Sequence, residues 1–317
     1  MLMLPRRRFL VGTGLWAAAG ALGCRSTSAP AITSITRRSV QQILAGMATK
    51  DGAGVKLSRV IGQPILRNLD PFIMLDRFHS DEPDAYIRGF PDHPHRGFET
   101  VTVMLEGRMR HRDSRGNQGL ITGGGSQWMT AGRGIVHSEM PEQERGLMSG
   151  YQLWVNLPAK EKMCPQYYQD LAPSALAEST LPKGLGRVRV ISGDINGLAG
   201  PVRTRPTQPI VATAVLEDDV PFEVETPTDH AAFVFVGGGE VDIGGENAEK
   251  AVNAGSIAVL GPGERIRMRA RMQSNVLIAA GKPLREPIVQ RGPFVMNTEA
   301  EIEKAWADYR AGVLDKG

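Results

Sequence analysis

The 317-residue sequence predicts an all-β fold, two tandem antiparallel barrels with one short C-terminal helix. Three observations predict it. Short runs rich in Val, Ile, Thr and Phe recur between Gly, Pro, Asn and Asp, and 37 glycines and 21 prolines leave few long helical patterns. Tight turns, never helices, separate these runs, which points to antiparallel pairing. Gly125, six residues, then Gly132-Arg133-Gly134 is echoed by Gly255, five residues, then Gly261-Pro262-Gly263, so the two halves look alike. The length is comfortable for two domains, and 41% hydrophobic with 22% charged residues is the composition of a soluble globular chain.

The elements follow in chain order. Residues 1–24 read as an export signal. Pro5-Arg6-Arg7-Arg8-Phe9-Leu10 precedes an apolar stretch from Val11 to Leu22, too short for a normal spanning helix. Arg6-Arg7-x-Phe9-Leu10 has the form of a twin-arginine signal, which exports folded protein. Ala21-Leu22-Gly23-Cys24 has the form of a lipobox with two imperfect positions, so a lipid anchor through Cys24 is expected. Ordinary cleavage near Ala29-Pro30-Ala31 and a retained anchor are the competing readings. Besides Cys24 only Cys164 is present, which leaves one thiol and no intramolecular disulfide in a lipidated product. The expected location is the periplasm, or a membrane as an anchored lipoprotein. Residues 25–38 are a small, polar tether.

A first barrel is expected over 39–185. Val55 to Val60 alternates like a half-buried strand, and Phe72-Ile73-Met74-Leu75 reads as a deeper one. Phe98 to Leu105 is strongly β-forming, Met109 to Arg112 pairs back, Gln127 to Glu139 follows a glycine turn, and Tyr151 to Leu157 is another strand. A second barrel is expected over 186–298, with strands at Ala231–Val236, Ser256–Leu260 and Asn275–Ala280. Residues 299–317 start on a capping box, Thr298-Glu299-Ala300-Glu301, and form a helix to about Arg310.

The chemistry is concentrated in two short segments. His93-Pro94-His95 and His137-Ser138-Glu139 each place two potential ligands at i,i+2, on one face of a strand. Side by side in a barrel they converge three imidazoles and a carboxylate, a donor set for iron, manganese, nickel, copper or zinc. Half of the six histidines lie here; His79, His111 and His230 have no partner at ligand spacing and read as ordinary. Glu99 competes with Glu139 for the carboxylate position, but on an ideal strand it stands ~13 Å from His95. Glu139 is therefore the expected ligand and candidate general base, with Glu99 in reserve. Phe98, Trp128, Met129 and Trp154 either line a flat apolar pocket or form barrel core, with core the better reading. Cys164 reads as an inert, partly buried thiol.

Charge excludes one class of function. Removing residues 1–23, which hold three arginines and no acid, takes Lys+Arg from 37 to 34, equal to the 34 Asp+Glu. A near-neutral chain without a basic stripe is not expected to bind nucleic acid. It is expected to act as a monomer.

Asp70-Pro71-Phe72, Gly89-Phe90-Pro91-Asp92-His93-Pro94-His95-Arg96-Gly97-Phe98-Glu99-Thr100 and the run from Gln127 through His137-Ser138-Glu139-Met140-Pro141 together resemble the pirin family. Gln152 to Leu157 and the stretch from Pro283 to Thr298 extend the likeness to roughly residues 39–312. The resemblance implies two tandem cupin barrels (the double-stranded β-helix or jelly roll), the second without a metal site. It implies Fe(2+) on His93, His95, His137 and Glu139, and a quercetin 2,3-dioxygenase-type activity on a flavonol or similar enolic aromatic with O2. The alternative is a non-catalytic, iron-binding, redox-responsive interaction module. The export signal departs from the family pattern, so the transcription-factor binding associated with animal members is not carried over.

Overall fold

The computed structural model describes residues 35–184, 186–245 and 248–316. The signal sequence, the twin arginines and Cys24 lie outside the described residues. No described helix is long and apolar enough to cross a membrane.

Each barrel is a seven-stranded sheet facing a four-stranded one. In the first, Phe98–Glu106, Met148–Asn156 and Phe72–Ser80 are central strands of the larger sheet, and Phe90–His95, Ile135–Pro141, Arg108–Asp113 and Gln118–Thr122 form the smaller one. In the second, Ala231–Gly238, Ser274–Gly281 and Ile210–Leu216 are central in the larger sheet.

The two large sheets pack back to back, which explains their sequence. Successive strand residues face opposite sides. Along Ala231–Gly238, Ala232, Val234 and Val236 fill their own barrel, while Phe233 and Phe235 pack with Val101, Val103, Leu153 and Val155 of the other. A strand buried on both faces has no solvent side, so the run is apolar without alternation. Full burial of Phe233 or Phe235 contributes about 1.5–3 kcal/mol each.

The two interiors differ in chemistry. The second barrel is filled by aliphatic and other apolar side chains, among them Val190, Leu216, Val224, Ile243, Ile266 and Ile278. The first turns buried polar groups inward, including Thr102, His95, His137 and Glu139.

The division of the chain in space departs from the expected boundaries. Val40–Ala45 pairs with Ser256–Leu260, and Ala177–Thr180 with Gly186–Ser192, so both belong to the second barrel rather than to the 39–185 unit. Val40 enters the aliphatic core there. Strand pairing between segments two hundred residues apart follows open sheet edges, for which the local sequence has no signal. Conversely, Val289–Arg291 and Phe294–Met296 return to the first barrel, where Val295 N donates to Arg96 O at 3.1 Å. The helix Glu299–Arg310 begins on the expected capping box and packs Ile302 and Ala305 against Phe294 and Met296.

Candidate metal centre

Phe90–His95 is an edge strand, paired only with Ile135–Pro141. That position tolerates Pro91 and Pro94, which cannot donate to a ladder. The register sets His93 opposite His137 and Ile135 opposite His95. The ring centroids of His93, His95 and His137 lie 4.3 to 4.9 Å apart. One nitrogen from each falls within 4.8 Å of the others. The strand ends at His95, and the chain turns at Gly97, whose φ of +90° suits glycine and where a Cβ would run into the Val295 carbonyl.

The protonation of the rings follows from their partners. His93 Nδ1 lies 2.9 Å from Pro91 O and His95 Nδ1 lies 3.3 Å from Pro293 O. A carbonyl only accepts, so both Nδ1 atoms donate, and in a neutral ring that leaves the Nε2 lone pair free. His95 and His137 are buried, and burial, then the neighbouring imidazoles, holds them well below the usual histidine range. They are neutral at pH 7, and their buried Nε2 atoms have no hydrogen-bond partner among the described residues. Three converging imidazoles, with His95 and His137 neutral and their Nε2 atoms orphaned, fit a divalent first-row metal.

The fourth predicted ligand is placed differently. Glu139 is buried but stands outside the three-histidine group. A register shift between His137 and Glu139 offsets it along the strand pair. Its carboxylate accepts from Thr102 Oγ1 at 3.1 Å and from Gln152 Nε2 at 3.0 and 2.8 Å. Gln152 Oε1 in turn accepts from Trp154 Nε1 at 3.4 Å.

Glu99, the reserve ligand, faces the other way. It shares a strand face with Val101 and Val103, which pack against the second barrel, and it pairs with Arg205 from that barrel. Of the four apolar candidates, Trp154 lines the cleft above the histidines, with Phe98 stacked on it at 4.2 Å and His95 edge-on to both. Trp128 belongs to the core between the barrels, and Met129 packs with Ala131 and Ile135. The cleft holds about 1040 Å³ and is also lined by Arg59, Gln63, Gln152, Ile288 and Pro293.

His111 corrects the sequence reading. It is buried, lies directly across from Glu139 in the strand register, and brings its Nδ1 to 3.4 Å from that of His137. Its place was signalled by parity: Met109 and His111 alternate inward on one strand. Gln152 and Thr102 were missed for want of any ligand-type signal. His79 bonds Ser149, and His230 bonds Asp229 and Gln208 O, away from the cluster. Cys164 is half-buried, and burial pushes its thiol up.

Comparison with known proteins agrees with this architecture. The pirin family profile matches residues 54–155, and that of the pirin C-terminal cupin domain matches residues 211–315. A pirin-like protein of Caulobacter vibrioides is 45% identical over 276 residues, covering 87% of this chain and 98% of its own. Human pirin is 41% identical over 263 residues, covering 82% and 88%. A crystal structure of quercetin 2,3-dioxygenase from Acinetobacter baumannii superposes with a TM-score of 0.81 at 31% identity, covering 88% and 98%. Matched in both cupin domains and along almost all of its described length, this chain belongs to the pirin family.

Proposed function

We propose that this chain is a metal-dependent dioxygenase of the quercetin 2,3-dioxygenase type, acting on a flavonol or a similar enolic aromatic with O2. The observation that carries the reading is the convergence of the His93, His95 and His137 imidazoles, with His93 and His95 lining a large, partly apolar cleft. The likeness to the Acinetobacter baumannii quercetin 2,3-dioxygenase supports the reaction class. Fe(2+) is the proposed metal, with manganese, nickel, copper and zinc as alternatives that the donor set admits.

His93, His95 and His137 would hold the metal, with Glu139 as fourth ligand once its carboxylate turns from Gln152. When bound, the metal would supply Lewis acidity toward an enolic oxygen and redox chemistry toward O2. The rest is the work of the chain. Trp154 offers a flat apolar wall to an aromatic ring. Glu139, hydrogen-bonded by Thr102 and by the cleft residue Gln152, would serve as the base for the enolic proton. The polar cleft groups Gln63, Arg59 and Gln152 are placed to meet ring hydroxyls.

The test is oxygen uptake by the purified, iron-reconstituted protein with quercetin, beside His95→Ala. Uptake that requires both iron and His95 is expected. Retained turnover in a metal-free variant would sink the reading, and bound iron without uptake would favour the redox-responsive binding module. Export by the twin-arginine route, with lipidation at Cys24, is proposed from the sequence. Replacing Arg6 and Arg7 by Lys should trap the protein in the cytoplasm; unchanged export would refute it.

A further inference from the structure

We propose that His111 is the positioning residue of the metal centre, accepting a hydrogen bond from His137 and thereby fixing which nitrogen of His137 faces the metal. The inference rests on the metal reading above and adds a residue that the ligand pattern does not include.

The three cluster imidazoles are anchored through Nδ1 in two different ways. His93 and His95 each meet a backbone carbonyl, Pro91 O and Pro293 O. Those partners can only accept, so each ring has one workable tautomer, with Nε2 free. His137 meets another imidazole instead, with Nδ1 of His111 at 3.4 Å. Two neutral rings that approach Nδ1 to Nδ1 share one proton between those atoms, and either ring can carry it. If His111 donates, His137 holds its own proton on Nε2, aimed at the cluster, and cannot ligate there. If His111 accepts, the His137 proton sits on Nδ1 and the Nε2 lone pair is free. The tautomer of His111 therefore sets that of His137.

The surroundings fix the His111 ring in this place. It is 1% exposed, sits across the ladder from Glu139, and lies 4.8 Å from the Tyr168 ring on its far side. Among the described residues its Nε2 has no hydrogen-bond partner. Among the described residues no other hydrogen bond of the His111 ring competes with the contact to His137. Groups that accept from a ligating histidine are worth 10–100-fold in metal affinity when removed.

The experiment titrates Co(2+) alone into the metal-free full chain, read by calorimetry and by the d–d absorption of the bound ion. The variants are His111→Leu, His111→Gln and His111→Asn. The Asn amide oxygen occupies the place of Nδ1 and keeps the acceptor, whereas the Gln amide occupies the place of Nε2 and loses it. Leu and Gln should weaken Co(2+) binding by about 10–100-fold, and Asn should stay within about threefold of the parent chain. The melting temperatures of the metal-free variants check that each is folded. Equal affinity in the Leu variant and the parent overturns the proposal. So does a parallel loss in Asn and Gln, which would assign His111 to packing. A parent chain that fails to bind Co(2+) overturns the metal reading itself, a result separate from either of these.

Discussion

Removing Arg205 should cost several kilocalories per mole, and the cost should depend on pH in a stated direction. Glu99 is 0% exposed in the wall between the barrels, where its charge partner is Arg205 from the second barrel. Thr130 Oγ1 donates to Glu99 at 2.7 Å and accepts from Arg205 at 2.7 Å, and the guanidinium lies 5.9 Å from the Tyr167 ring. Arg205→Ala leaves the carboxylate two ways to respond. It can remain charged and unpaired, at about 3–5 kcal/mol for a broken buried pair. Alternatively it can take a proton. From an unfolded pKa of about 4.3 that costs ~1.36 kcal/mol per pH unit, so ~3.7 kcal/mol at pH 7 and ~1 kcal/mol at pH 5. The second route caps the loss. Above pH 4.3 the folded variant then binds more protons than its unfolded chain, so its stability falls as pH rises. Urea unfolding of both proteins from pH 5 to pH 8 reads this. A penalty below about 1 kcal/mol at pH 7, or one that does not grow with pH, refutes the reasoning; Glu99→Gln with Arg205→Met should recover most of the loss.

Two further outcomes follow from the same structure. His95 and His137 are held neutral by burial, while in the unfolded chain they titrate near 6.5, so below that value the unfolded state binds more protons and metal-free stability falls with pH. Urea midpoints should hold level from pH 8 to 7 and drop between pH 6.5 and 5, by up to ~1.36 kcal/mol per pH unit for each ring; a level profile to pH 5 counts against buried neutral rings. Asp308 pairs with Arg96 at 2.8 Å, beside His95 and with only 4% of the Arg96 side chain exposed. Asp308→Ala should destabilise by about 3 kcal/mol and free the C-terminal helix for proteolysis, and an unchanged digestion pattern speaks against that clamp.

Much of this was legible in the sequence, and the misses have physical causes. The i,i+2 pair His93 and His95, with His137 on a second short strand, marks a candidate metal centre because a strand's two-residue period turns alternate side chains toward one point. The same period contained the answer for Glu99. It alternates with Val101 and Val103, whose apolar faces meet the second barrel, so a carboxylate of that parity points away from His95. His111 shares parity with Met109, yet spacing to other histidines along the chain could not reveal a neighbour across the ladder. The fate of residues 283–298 was not readable at all. That stretch has little regular periodicity, and its partners, Arg96, Gly97 and Lys162, lie more than a hundred residues earlier.

That returning segment explains how a polar lumen is kept in shape without the aliphatic filling of the second barrel. Each cluster histidine is anchored by a different part of the chain: His93 by its own strand through Pro91, His137 by the neighbouring strand through His111, and His95 by the C-terminal segment through Pro293. The geometry of the centre therefore depends on that segment being docked. Lys162 secures the docking. Its buried ammonium reaches Gly97 O at 2.8 Å, Asn156 Oδ1 at 2.6 Å and Val295 O at 3.0 Å, three acceptors for three donors. Burial lowers it to about 8, which still leaves it mostly charged at pH 7. One residue thus ties the turn after His95, the end of the central strand Met148–Asn156, and the returning segment. An apolar side chain of the same length would leave three buried acceptors unpaired, at about 1–3 kcal/mol each, whereas in the first barrel's wall the charge is matched on every side.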